Sequence, residues 1–202
     1  MKKINYTKSK LITNTIKEIQ KHGYQNIEVS EIVRLSNVSE KEMDQCFENE
    51  EELLDSALLL ISKHFDSYIE TCWQLIEAQN SFQCMTFLGE AMIAWIIKEP
   101  RLAEFLISQK NSNQELKCFS LNASSDLHCM LRTHNILTMF ITDFHLDIDT
   151  DELFSEYWSF FQGYAQMIKN EELAYERVVL ENMLRNFIEN KVYLNQQEES
   201  ST

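Results

Sequence analysis

Three glycines and one proline in 202 residues leave this chain few places to break a helix. Average usage at this length would give roughly 14 glycines and 10 prolines. In a helix interior glycine costs about 1 kcal/mol against alanine and proline about 3. A chain that avoids both can stay helical almost throughout. Sandwiches, barrels and dinucleotide-binding α/β folds need many turn glycines, so the expected class is all-α, with about nine helices. Hydrophobic residues make up 44% of the chain, enough for a packed core and too many for disorder.

The N-terminus, MKKINYTKSKLITNTIKEI, has no apolar run behind its lysines and does not read as a secretory signal. No stretch approaches the roughly 18 apolar residues of a membrane span. Five widely spaced cysteines (Cys46, Cys72, Cys84, Cys118, Cys129) read as reduced thiols of a cytoplasmic protein. Net charge is −14, which disfavours a nonspecific nucleic-acid binder. Residues 1–50 carry eight basic and eight acidic side chains, so the whole excess lies behind them.

Periodicity predicts a first helix over Thr7–His22, with Leu11, Ile12, Ile16 and Ile19 on one face. Gly23 ends it, a residue able to take positive φ. A short second helix spans Val29–Leu35, with Ile32 and Val33 inward. Asn37 stands where a tight turn wants a left-handed residue. Ser39 and Glu42 form a capping box for a third helix carrying Met43 and Phe47. Asn49 caps a long helix with Leu54, Leu58, Ile61, Phe65, Tyr68, Ile69, Cys72 and Ile76 on its apolar face. Helices are expected at about 82–98, at 101–110 with Pro100 at or before the start, and over roughly 113–143. His145–Thr150 is a connection, with Thr150 or Asp151 as the next N-cap. From Leu153 and again from Leu173, apolar pairs recur every turn. Such a stripe buries more than one face, and the extra face suggests a subunit interface of Tyr157, Phe161, Tyr164, Met167, Val179, Met183 and Phe187. The divisions are a head at 1–49, a body at 50–194 and a disordered tail at 195–202.

Trp73, Phe87, Met92, Trp95, Phe105, Met130, Phe140 and Trp158 fall on these helices. An aromatic and methionine set at helical spacing reads first as core. The alternative is a cavity for a flat or apolar ligand, lined by Phe87, Trp95, Phe105 and Met130. His128, Cys129, His134 and His145 lack the i, i+4 pair or CxxC of a metal site. Asp147, Asp149, Asp151 and Glu152 lack the glycine and terminal glutamate of a calcium loop. Cys46 reads as a small buried hydrophobe before a redox switch. There is no nucleophile with a nearby base and no glycine loop for phosphate, so neither an enzyme, a cofactor nor a metal is expected.

The segment KSKLITNTIKEIQKHGYQNIEVSEIVRLSNVSEKEMDQCFENEEELLDSAL resembles the head of the tetracycline-repressor (TetR) family in order and spacing. His22-Gly23-Tyr24 looks like its "kGy" turn and Asn37-Val38-Ser39 like its "GVS" turn. Met43 and Phe47 fit the recognition helix, and Glu52-Leu53-Leu54 opens the connecting helix. Ser155–Lys169 resembles the penultimate, dimerising helix. The resemblance implies a homodimeric transcription regulator whose third helix enters the DNA major groove. It also implies a body that holds a small-molecule inducer, whose binding respaces the two heads. Candidate DNA contacts are Lys8, Lys10, Ser30, Arg34, Ser39, Lys41 and Gln45.

The departures lie at the DNA surface. Positions that are commonly basic, small or aromatic hold Glu40, Lys41, Glu42, Asp44, Cys46 and Glu50, and Glu28 replaces a phosphate-binding threonine. From residue 24 to 55, two basic residues face ten acidic ones. Because DNA binding rests largely on phosphate neutralisation, two readings stand. Either the chain binds operator DNA with an unusual head, or the head has turned to another protein, such as a basic partner regulator, with the body as a ligand sensor.

Overall fold

A computed structural model of the chain describes residues 2–74, 80–108 and 128–199. Ile76, residues 113–127 of the expected 113–143 helix, the side chains of Lys2, Lys3 and Met130, and the last three residues fall outside that description. Among the described residues there are nine α-helices, a single 3-10 turn and no strand. The fold is all-α. No described helix is long and apolar enough to cross a membrane.

The helices are α1 (Lys2–His22), α2 (Val29–Leu35), α3 (Glu40–Asp44), α4 (Glu50–Trp73), α5 (Ser81–Lys98), α6 (Pro100–Ser108), α7 (His128–Asp143), α8 (Thr150–Lys169) and α9 (Arg177–Glu199). Two compact units result, and their boundary falls inside α4. Described residues up to Phe65, together with 99–108, form the first unit; the others form the second. The first unit is therefore larger than the 1–49 head read from the sequence, because α6 packs on α1. Arg101 donates to the carbonyl oxygens of Gln20 and Lys21 at the end of α1, placing a cation where the helix dipole is negative. Phe105 is fully buried and packs against Tyr24, ring centres 5.6 Å apart.

The core of the first unit is Leu11, Ile32, Val33, Cys46, Phe47 and Leu53, with Ile12, Ile27, Val29, Val38 and Met43 packed around it. α1 begins five residues before the expected Thr7, since nothing in Lys2–Tyr6 breaks a helix. On α4 the buried stripe is Leu53, Ala57, Leu58, Ile61, Phe65 and Ile69; Leu54 and Tyr68 are only half-buried.

In the second unit α5 packs on α7, α8 and α9. It buries ten residues, Met85, Leu88, Gly89, Met92, Ile93 and Trp95 among them. A Cβ built on Gly89 would lie 1.9 Å from Cε1 of Phe161, so only glycine admits that ring. Beside it the Tyr157 hydroxyl donates to the Met85 carbonyl at 2.7 Å. Asp66, nine-tenths buried near the end of α4, accepts the Cys129 N–H at 2.6 Å in the first turn of α7. One turn on, Glu70 holds Arg132 through both carboxylate oxygens. α8 is capped by Asp149, whose carboxylate accepts the Asp151 N–H at 2.8 Å. The cap therefore falls one residue before Thr150 and two before Asp151, the two expected positions. α9 continues to Glu199, into the stretch expected as a disordered tail, because Asn195–Glu199 contains no breaker.

Candidate functional site: the helix-turn-helix head

The turn between α2 and α3 is built from local rules. Asn37 adopts φ 46°. The Val38 N–H reaches the Val33 carbonyl at 3.3 Å and the Asn37 N–H reaches Arg34 at 3.0 Å. This is a Schellman closure of α2, with asparagine in the left-handed place. The chain then turns into the Ser39/Glu42 capping box. The Ser39 N–H donates to Glu42 Oε2 at 3.1 Å, and the Glu42 N–H donates to Ser39 Oγ at 3.3 Å. Phe47, 3% exposed, anchors the far end of α3 in the core.

The charged side chains on this scaffold are largely partnered within it. Lys8 lies 4.7 Å over the Phe47 ring and pairs with Glu52 at 3.3 Å. Glu52 also accepts the Glu48 N–H at 2.7 Å, and its own N–H is capped by Asn49. The Glu48 hydrogen bond, with Lys8, pulls the Glu52 carboxyl below the usual range. Arg34 forks onto Glu31, lowering that carboxyl by hydrogen bonding. Burial and the neighbouring Glu51 push Asp55 upward. Burial likewise raises the Cys46 thiol, which points at the Ile4 carbonyl 3.9 Å away.

Of the candidate DNA contacts, Ser30, Arg34, Ser39, Lys41 and Gln45 are exposed and Lys8 and Lys10 are partly exposed. Arg34, Lys8 and Ser39 each have a structural partner already. Around them Glu28, Glu40, Asp44, Glu48, Glu50 and Glu51 are exposed.

The aromatic ligand set is divided. Phe105 belongs to the core of the first unit, and Phe87 and Trp95 belong to the second. Phe87 meets Trp73 edge-on at 5.9 Å, and Trp95 is 5% exposed. None of them lines the apolar cavity of about 410 Å³ in the second unit. That cavity is formed by Glu90, Ile93, Ala94, Ile97 and Lys98 of α5 with Tyr175. Sequence reading missed it because aliphatic residues between two charges look like an ordinary helix face.

The interface set is also divided. Tyr157, Phe161 and Tyr164 are buried in their own unit, Phe161 against Gly89 and Tyr157 bonded to the Met85 carbonyl. Met167, Val179 and Met183 are exposed, and Phe187 is half-buried. Among the described residues no three His, Cys, Asp or Glu side chains converge as metal ligands would.

No family model matches the chain, and no curated protein matches it in sequence. Solved structures do match in shape. A protein from Shewanella sp. PV-4 assigned to the TetR family of transcription regulators superposes with a TM-score of 0.64. It is 14% identical, over 89% of this chain and 96% of that one. The fold is TetR-like. A Pseudomonas aeruginosa PAO1 protein described as a transcriptional regulator gives 0.63 at 12% identity, over 92% and 90% of the two chains. A Rhodococcus sp. RHA1 protein of unknown function gives 0.66 at 14%, over 93% and 94%. The match in shape thus covers the body as well as the head, including Ser155–Lys169, which also carried the resemblance.

Proposed function

We propose that the chain is a dimeric, TetR-like transcription regulator that binds operator DNA through α3 and answers to a small molecule held in its body. The observation that carries this reading is the α2–α3 turn. Its Schellman closure, capping box and buried Phe47 hold a recognition-type helix in place on a TetR-like fold. Lys41, Gln45 and Ser30, with Lys10 at the edge, are the side chains assigned to DNA.

The dimer is supported by what α8 and α9 leave uncovered. Met167, Val178, Val179 and Met183 are exposed. Gly163, mid-helix, has nothing within 4 Å of a built Cβ. A helix-interior glycine costs about 1 kcal/mol, and close approach of a second copy gives it a use. The interface proposed from sequence therefore narrows to its exposed members, Met167, Val179 and Met183, with the half-buried Phe187 beside them.

A second reading is favoured by the exposed carboxylates Glu40, Asp44, Glu48 and Glu50 around α3. In it the head binds a basic protein and not DNA. Selection from a random duplex pool at about 50 mM salt separates the two, since phosphate contacts are strongest there. The first reading expects enrichment of a palindrome whose half-sites lie about one helical turn, or a multiple, apart. An unenriched pool contradicts it and leaves the protein-binding head.

A further inference from the structure

The cavity on α5 has no part in the head and includes none of the aromatic set. Glu90, Ile93, Ala94, Ile97 and Lys98 follow one another at helical spacing and make one stripe of α5. Ile97 is 40% exposed and Tyr175, which stands over the stripe, is 42% exposed. About 410 Å³ lies between them, within the range of small-molecule clefts.

The charges at the two ends of the stripe decide what fits. Glu90 accepts the Tyr175 hydroxyl at 2.9 Å and pairs with Arg177 Nε at 3.3 Å. Arg177 is further tied to Glu181 at 2.9 Å. At the other end the Lys98 ammonium lies 5.6 Å over the Tyr68 ring. Each end is thus already compensated. A cationic guest would have to take Glu90 from Arg177 and Tyr175, and an anionic one would have to draw Lys98 from its ring. Breaking the charge-assisted contacts of Glu90 is costly, and an exposed lysine gains little from a surface anion, while the floor of Ile93, Ala94 and Ile97 offers only dispersion and burial.

We propose that this groove binds an uncharged, mainly hydrocarbon small molecule, laid along Ile93, Ala94 and Ile97 beneath the Tyr175 ring. The Tyr175–Glu90 hydrogen bond holds the ring over the stripe as a roof. The inference deepens the ligand-responsive part of the proposed function, but binding at the groove requires no DNA. A protein that binds the guest without any change in DNA affinity would overturn that regulatory role and leave the site intact.

The test uses the full chain and the neutral fluorophore N-phenyl-1-naphthylamine, which brightens in apolar surroundings. Expected is saturable brightening at one probe per chain. It should be displaced by 1-decanol, with decanoate and decylammonium weaker by roughly tenfold or more. Ile97→Asp and Ala94→Trp both lie on exposed positions, so their helical circular dichroism should match the parent. Ile97→Asp should abolish the brightening by charging the floor, and Ala94→Trp by filling the groove. Tyr175→Phe, which keeps the ring and loses the latch, should weaken the probe less than Tyr175→Ala. Brightening that survives both α5 substitutions would place the probe elsewhere and overturn the proposal. Equal displacement by all three decyl compounds would overturn its neutral-guest claim.

Discussion

Gly89 and Phe161 show how one missing methyl group can set a helix crossing. The Phe161 ring is fully buried and occupies the space a Cβ at residue 89 would need. Gly89→Ala should destabilise the chain by about 1–3 kcal/mol, the usual cost of overpacking. Adding Phe161→Leu should recover part of the loss, as neighbours sharing one space do not add; thermal melts of the two singles and the double measure it. Glu52 makes a different residue-scale claim. Its carboxyl is held low by the Glu48 N–H and Lys8. Its stabilisation is therefore complete above its unfolded pKa of about 4.3. It fades as pH falls through the lower folded value. Glu52→Gln should melt below the parent at pH 7, with the gap closing below about pH 4. Sequence reading found the Ser39 and Asn49 caps, because a cap needs only its own few neighbours, and missed Asp149 by a residue or two. It could not find Glu52's pairing with Lys8, a lysine 44 residues away.

Among the elements, three helices end in the same way without glycine. α2, α7 and α8 close through Asn37, His145 and Glu171 at φ 46°, 51° and 59°. At each, the next N–H reaches back five residues: Val38 to Val33, Leu146 to Ile141, and Glu172 to Met167. A non-glycine residue in the left-handed region costs about 1–2 kcal/mol. Glu171→Gly should accordingly raise stability by about 1 kcal/mol, read as a higher denaturation midpoint at unchanged m-value. The same substitution in the middle of α9 would lower it. Only the Asn37 turn was legible in advance, since asparagine signals this conformation while glutamate does not. The regular apolar pairs of α8 were legible as burial, but not as burial against their own unit. A helical wheel gives the width of a stripe and not the partner that covers each part, so Tyr157 and Phe161 were assigned outward while Met85 and Gly89 of α5 hold them inside. The groove on α5 escaped for the same reason, since its Ala94 and Ile97 look like any other part of an apolar helix but are exposed.

At the scale of the whole molecule, the all-α class followed from the want of glycine and proline, and the TetR-like fold bears it out. On the proposed function, what the chain does with that fold depends on two surfaces, the outer face of α9 and the head. Replacing Val179 and Met183, both exposed on α9, with glutamate should convert a dimer to folded monomers in sedimentation velocity. Dimers that persist would move the interface off that face. For the head, the decisive balance is between a recognition-type scaffold and the carboxylates exposed around it. Fluorescence polarisation with a labelled duplex pool, titrated at about 50 and 200 mM salt, weighs the two directly. Operator binding predicts a rise in polarisation at the lower salt that falls steeply at the higher, as counterion release requires, and that shrinks in Lys41→Glu. A flat titration at about 50 mM would contradict a DNA-reading head and leave its acidic face to a protein partner.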